Sequence, residues 1–277
     1  MAGFPPSGLA RPIDLRSRSN RFAVAATGAA TLVGWLFEPQ GRSWLALGGS
    51  AFLAWAVARE LNPDRSAAAA AVLGPAIVAT VDAHVVSLGS LFVLLLAIRQ
   101  TAGTTGRRLG HLDLAFLAIL TSWLAFSTPL SWIAGAGMAV ALAVTGGGVR
   151  QRNWAWLTAI GVVLGAGIAR HPMEWTRPSV LVATVVAAGV VGGLASWRVS
   201  TVESEADKAG VALDPVRIGR ARVTCLAVAL VAAALGGGAG MVAVLPAWTV
   251  LVVVGLQDLR SRSPEEGLAG NELLNRP

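Results

Sequence analysis

Apolar residues along this chain come in long blocks. They show neither the strict alternation of a half-buried strand nor the i, i+3, i+4 spacing of an amphipathic surface helix. The blocks lie near 22–37, 44–58, 67–81, 84–98, 112–127, 130–146, 153–169, 178–197, 223–238 and 243–257. Such blocks predict helices solvated by lipid, so the expected fold is all-α, a polytopic transmembrane helical bundle of about ten short spans. Several blocks hold only 15 to 17 residues. At 1.5 Å per residue these reach roughly 25 Å against the ~30 Å of a hydrocarbon core, so flanking residues must extend them or neighbours must shield them.

Two runs, 67–98 and 223–257, are almost continuous. Asp82 and His84 interrupt the first; the glycines of 236–240 and Pro246 interrupt the second. Helix breakers, and the cost of an Asp at the centre of one span, make both runs hairpins. The expected organisation is a basic cytoplasmic tail over 1–21 and a single transmembrane domain over 22–257 with a cytoplasmic loop near 198–222. A second cytoplasmic tail covers 258–277. No A-x-A signal follows the first block before Glu38, so that block is expected to be a retained helix.

Composition agrees. Of 277 residues 55% are hydrophobic and 13% charged, about half the charged share of a soluble domain. The net charge of +7 is an orientation signal. With both termini cytoplasmic, 19 of the 22 Lys and Arg residues fall on inner segments and only Arg42, Arg170 and Arg177 on outer ones, as the positive-inside rule requires. Nucleic acid is not needed to explain the charge. The ten tryptophans fall near predicted span ends, as two interfacial belts. A strong excess of Arg over Lys and abundant Ala, Gly and Val favour a bacterial cytoplasmic membrane. The single cysteine, Cys225, excludes an intrachain disulfide and a cysteine-based metal site.

Candidate chemistry is sparse. Asp82 and His84 at the tip of the first hairpin form either a proton or cation site or a hydrated turn, and the turn is favoured. His171 and Glu174 lie in the outer loop at 170–178 and could join them as metal ligands. No ligand pair has helical i, i+4 spacing, so no metal and no cofactor is assigned. On the inner side Arg59, Glu60, Asp64, Arg99, Arg107, Arg108, His111, Asp113 and Arg222 form a polar rim. It suits either orientation charges or the recognition of anionic headgroups with a carboxylate-held Mg²⁺. The GxxxG pairs Gly161/Gly165 and Gly189/Gly193 predict close helix packing. No catalytic motif is present, so no catalytic residue is named and an enzyme is not the expected class. The leading expectation is a small-molecule or lipid-linked transporter. The alternative is a non-catalytic membrane subunit or scaffold of a larger complex, with partner membrane subunits. Third comes a membrane-embedded lipid-modifying enzyme.

Overall fold

The computed structural model describes residues 9, 13–39, 41, 43–81, 85–106, 110–127, 130, 132, 133, 135, 137, 138, 175–206 and 211–262, without the side chains of His111 and Leu114. Among the described residues the chain is all-α, with eight helices and no strand beyond two isolated bridges. The helices are α1 (Arg18–Phe37), α2 (Ser43–Leu61), α3 (Ala68–Val78), α4 (Leu88–Ala102), α5 (His111–Ser127), α6 (Val180–Ala195), α7 (Pro215–Ala243) and α8 (Leu245–Arg262). Each coincides with one apolar block of the sequence. The sixth block falls mostly, and the seventh wholly, outside the described residues, and so do Gly161 and Gly165.

Helix starts depart from block starts for a local reason. α1 begins at Arg18, ahead of its apolar block, because Asp14 organises the preceding turn: its side chain accepts from the Arg16 amide and its carbonyl from Ser17 and Asn20. α7 begins eight residues before its block, with the Asp214 side chain capping the Val216 amide and Pro215 in the first turn, positions that both residues favour. A helix backbone does not need apolar side chains, and hydropathy alone therefore misses these polar turns.

By length and composition one helix among the described residues, α7, is long and apolar enough to cross a membrane; its 29 residues are counted across the break at Gly237, and its most apolar stretch has a hydropathy of 2.1. α3, α4, α6 and the Ala115–Ser127 part of α5 are apolar but shorter. α3 has 11 residues, about 16 Å of rise.

Successive helices run in opposite directions. The C-terminal ends of α2, α4, α6 and α8 meet the N-terminal ends of α1 and α7 through side-chain hydrogen bonds. At the opposite end the Ser87 amide, before α4, donates to the Ala243 carbonyl at the close of α7. α2 is the centre, packed on α1, α3, α4, α7 and α8. Its small residues Ala46, Gly48, Ser50, Ala51, Ala54 and Ala58 are all buried, which lets neighbouring backbones approach closely. α1 is peripheral, with only Asn20, Ala23 and Gly34 buried along its length.

The glycines of α6 seat it against both α7 and α8. A Cβ at Gly192 would collide with the Leu251 carbonyl and one at Gly189 would lie 2.8 Å from the Trp248 ring, so α6 is seated on α8. Gly193 faces the Leu226 side chain of α7. The tryptophans also divide. Trp35, Trp123, Trp175 and Trp197 are exposed, whereas Trp55, Trp132 and Trp248 are buried inside the bundle.

The second hairpin turns at its glycines. Gly237 has φ 55° and ψ −140° inside α7, a conformation open essentially to glycine alone. The chain then doubles back, so that a Cβ at Gly240 would collide with the Ala232 carbonyl. Thr176 closes this corner. Its carbonyl accepts from the Gly238 amide at 2.8 Å and its hydroxyl from Ala239 at 3.0 Å.

Candidate functional site

The charged groups of the described helices gather at one end of the bundle, where α2, α4, α6 and α8 finish and α1, α3, α5 and α7 start. Glu60, in the last turn of α2, is 1% exposed. Its carboxylate accepts from Arg99 Nε of α4 at 2.8 Å and from the Thr104 hydroxyl. Arg99 donates onward to the Leu9 carbonyl at 2.8 Å. Leu9 itself is buried.

Arg222 is the second anchor, 3% exposed in the second turn of α7. Its guanidinium donates to the Leu61 carbonyl at 2.8 Å, to the Ser196 carbonyl at 2.6 Å and to Asp258 Oδ2 at 2.6 Å. One side chain thus satisfies carbonyls left open at the ends of α2 and α6 and pairs with a carboxylate of α8. Arg217, one turn earlier, donates to the Thr101 and Gln100 carbonyls at the end of α4. Asn62 and Gln257 join α2 to α8 at 3.0 Å, and Gln257 also holds the Ser66 carbonyl at 2.9 Å.

A cleft of about 540 Å³ opens beside the Arg222–Asp258 pair. Asn62, Asp64, Arg65, Arg198, Glu203 and Ser261 are among the residues that complete its walls, so acids and arginines are balanced. Asp64 accepts from the amides of Glu203 at 3.0 Å and Ser204 at 2.8 Å. Partial burial raises its pKa, but hydrogen bonds from Ser204 and the Glu203 amide, helped by the Arg65 charge, outweigh it and leave the carboxyl below its ordinary value. The segment Asp64 holds pairs antiparallel with 211–213, with the Ala206 amide on the Val211 carbonyl and the Leu213 amide on the Ser204 carbonyl.

Of the sequence-predicted polar rim, Arg59, Glu60 and Asp64 lie at this end. Arg59 donates to Asn20 Oδ1 at 2.8 Å and lies over the Trp55 ring, 5.5 Å from its centroid. Asp113 is buried and accepts from the Gly110 amide at 3.0 Å, which caps the start of α5. Among the described residues none of α5 lines the Asp64 cleft, and Asp113 is not among its walls. Arg107, Arg108, Asp82, His84, His171, Glu174 and the His111 side chain lie outside the described residues. Among the described residues no group of three or more His, Cys, Asp and Glu could hold a metal ion.

Sequence reasoning assigned Arg99 and Arg222 to the basic rim and passed over Arg217, Gln257 and Asp258. The available signal was the spacing of Arg217 and Arg222 from Asp214. A helix capped at Asp214 carries both arginines inward over its first two turns rather than leaving them in a loop. The chain matches no family model, no curated protein and no solved structure.

Proposed function

We propose that this chain is a multi-pass protein of the bacterial cytoplasmic membrane, a bundle of about ten short spans with both termini inside, and that it moves a small or lipid-linked solute across the bilayer. The charged end is then the inner face, in agreement with the arginine bias along the sequence. The short helices are shielded by their neighbours, and the exposed Leu32, Val33, Trp35, Leu36 and Phe37 of α1 face lipid.

The observation that carries transport is a set of buried polar atoms without partners, found among the described residues on α1, α2, α5, α7 and α8. The Ser50 hydroxyl of α2, the Thr224 hydroxyl of α7 and the Trp248 indole N–H of α8 are fully buried and hydrogen-bonded to nothing. Each costs about 1–3 kcal/mol in a state that leaves it unsatisfied. A static scaffold gains nothing from such groups. A transporter gives them water or solute to bind when the helices separate. In this reading Glu60–Arg99 and Arg222–Asp258 latch the inner end shut, and the cleft at Asp64 is the vestibule below the latch.

The test uses an introduced thiol. In a Cys225→Ala background, Thr224→Cys is exposed to a membrane-impermeant maleimide in inside-out vesicles. Alternating access predicts slow labelling that rises about tenfold when Glu60→Gln weakens the latch. No labelling in either protein until the bundle melts would remove the transport reading.

The exposed apolar face of α1 also supports a second reading, a membrane subunit whose partner covers that face. Stoichiometric copurification of one membrane protein, lost in Leu36→Asn, would favour it.

A further inference from the structure

A second opening at the charged end differs from the Asp64 cleft in its electrostatics. It has a volume of about 510 Å³ and lies where α1 starts, α2 ends and α3 starts; its walls include Arg18, Ser19, Phe22, Arg59, Arg65 and Ser66. Three guanidinium groups from three elements line it, and among the described residues no carboxylate does. The nearest acids in sequence are already engaged, Asp64 by the amides of Glu203 and Ser204, and Asp14 by the Arg16 amide.

The walls are held in place. Arg59 is fixed between Asn20 and the Trp55 face. The loop bearing Arg65 and Ser66 is tied at the Ser66 carbonyl by Gln257, and the Ser66 hydroxyl accepts from the Ala68 amide at 3.3 Å. Arg18 and Arg65 are exposed, and their side chains hydrogen-bond to no protein group among the described residues. Such an arrangement is built to receive an anion with several oxygen acceptors.

The neighbouring helix face says what that anion is attached to. Phe22, Ala25, Ala29, Leu32 and Leu36 are all exposed, and spacings of three and four residues put them on one face of α1. This apolar stripe starts at the cleft and continues for the length of the helix. A soluble phosphate has no use for it, whereas an acyl chain does.

We propose that the opening is a binding site for the phosphate of an anionic diacyl phospholipid, held by Arg18 and Arg65 with Arg59 behind them, and that one acyl chain lies along the α1 stripe. The inference rests on the membrane placement proposed above and is independent of whether the chain transports anything.

The test is lipid binding to the detergent-solubilised full chain, read by native mass spectrometry and by melting temperature. The probes are dioleoyl phosphatidylglycerol, dioleoyl phosphatidylcholine and inorganic phosphate. Phosphatidylglycerol is expected to bind at one site in preference to phosphatidylcholine. Arg18→Gln and Arg65→Gln should each weaken it roughly tenfold. Arg220→Gln, an exposed arginine of the same bundle end outside this opening, should leave it unchanged. Inorganic phosphate at millimolar concentration protecting as well as the lipid would overturn the lipid assignment in favour of a soluble anion. Equal binding of the two lipids, or an equal loss in Arg220→Gln, would overturn the site itself. Failure of transport would appear in the thiol-labelling experiment and leave these outcomes untouched.

Discussion

The two ends of this bundle are closed by different physics. At the charged end the closure is directional and charge-assisted: Glu60 with Arg99, and Arg222 with Asp258 and two helix-terminal carbonyls. At the opposite end it is steric. Gly237 turns the chain in a glycine-only conformation, Gly240 lies against the Ala232 carbonyl, and Thr176 binds the corner through its carbonyl and hydroxyl. Hydrogen bonds between charged groups can be exchanged for water, so the charged end can reopen without rearranging a backbone. A corner made by glycines offers no such exchange. In the transport reading proposed above, this difference puts reversible opening at the charged end.

The largest effect is expected at Arg222. Arg222→Ala leaves a carboxylate and two carbonyls without their donor inside the bundle end, and loss of one member of a buried ion pair costs about 3–5 kcal/mol. The melting temperature in detergent should fall further than for Gly237→Ala, Gly192→Ala or Asp64→Asn. Arg222→Met combined with Asp258→Leu removes both charges, so its destabilisation should be smaller than the sum of the single variants. Strict additivity would mean that the pair is not coupled, and the latch would lose its physical basis.

Gly237→Ala strikes the steric end. The conformation at 237 is strained for any L residue, and an added Cβ would lie 2.9 Å from the Thr176 carbonyl. About 1–3 kcal/mol of destabilisation is expected, and thermal unfolding measures it. Latch-dependent labelling of Thr224→Cys should be unchanged in this background, since the corner does not open in the proposed cycle. A rise equal to that of Glu60→Gln would erase the distinction between the two ends.

Much of this architecture is legible in the sequence. Eight apolar blocks lie on eight helices, and the breakers at 82–84 and 236–240 fall where the chain stops being one continuous helix. The polar first turns of α7 are not legible from hydropathy, because Arg217 and Arg222 look like loop charges until Asp214 is read as a cap. Arg222 is a buried side chain whose partners are three separate helix ends, up to 161 residues away in sequence. No local pattern encodes such a pairing. The same holds for the tryptophans, since Trp248 is indistinguishable in sequence from an interfacial residue and is buried only because Gly189 gives it space.

A smaller effect sharpens the packing of α6 on α8. Gly192 is backed by the Leu251 carbonyl and by Gly255, which are backbone and cannot give way, whereas Gly193 meets the flexible end of Leu226. Gly192→Ala should therefore cost on the order of 1–3 kcal/mol, and Gly193→Ala less, by comparison of melting temperatures. Equal losses would place the contact on α7 instead.

The smallest effect concerns the vestibule. Asp64 is exposed, so its bonds to the Glu203 and Ser204 amides are screened and contribute modestly. The folded pKa lies below the ordinary 3.8, so the carboxylate's contribution is complete above the unfolded value and is lost as pH falls through the lowered one. Hydrogen exchange at the 203 and 204 amides should therefore show constant protection from neutral pH down to about pH 4, after correction for intrinsic rates, and a decline only in stronger acid. Asp64→Asn keeps an acceptor but not the charge, and should shift the profile toward weaker, pH-independent protection. The Arg222–Asp258 latch above it should keep its stability in that variant. If Asp64→Asn instead lowered the melting temperature as far as Arg222→Ala, the loop and the latch would be one cooperative unit, and the vestibule could not move while the latch stays closed.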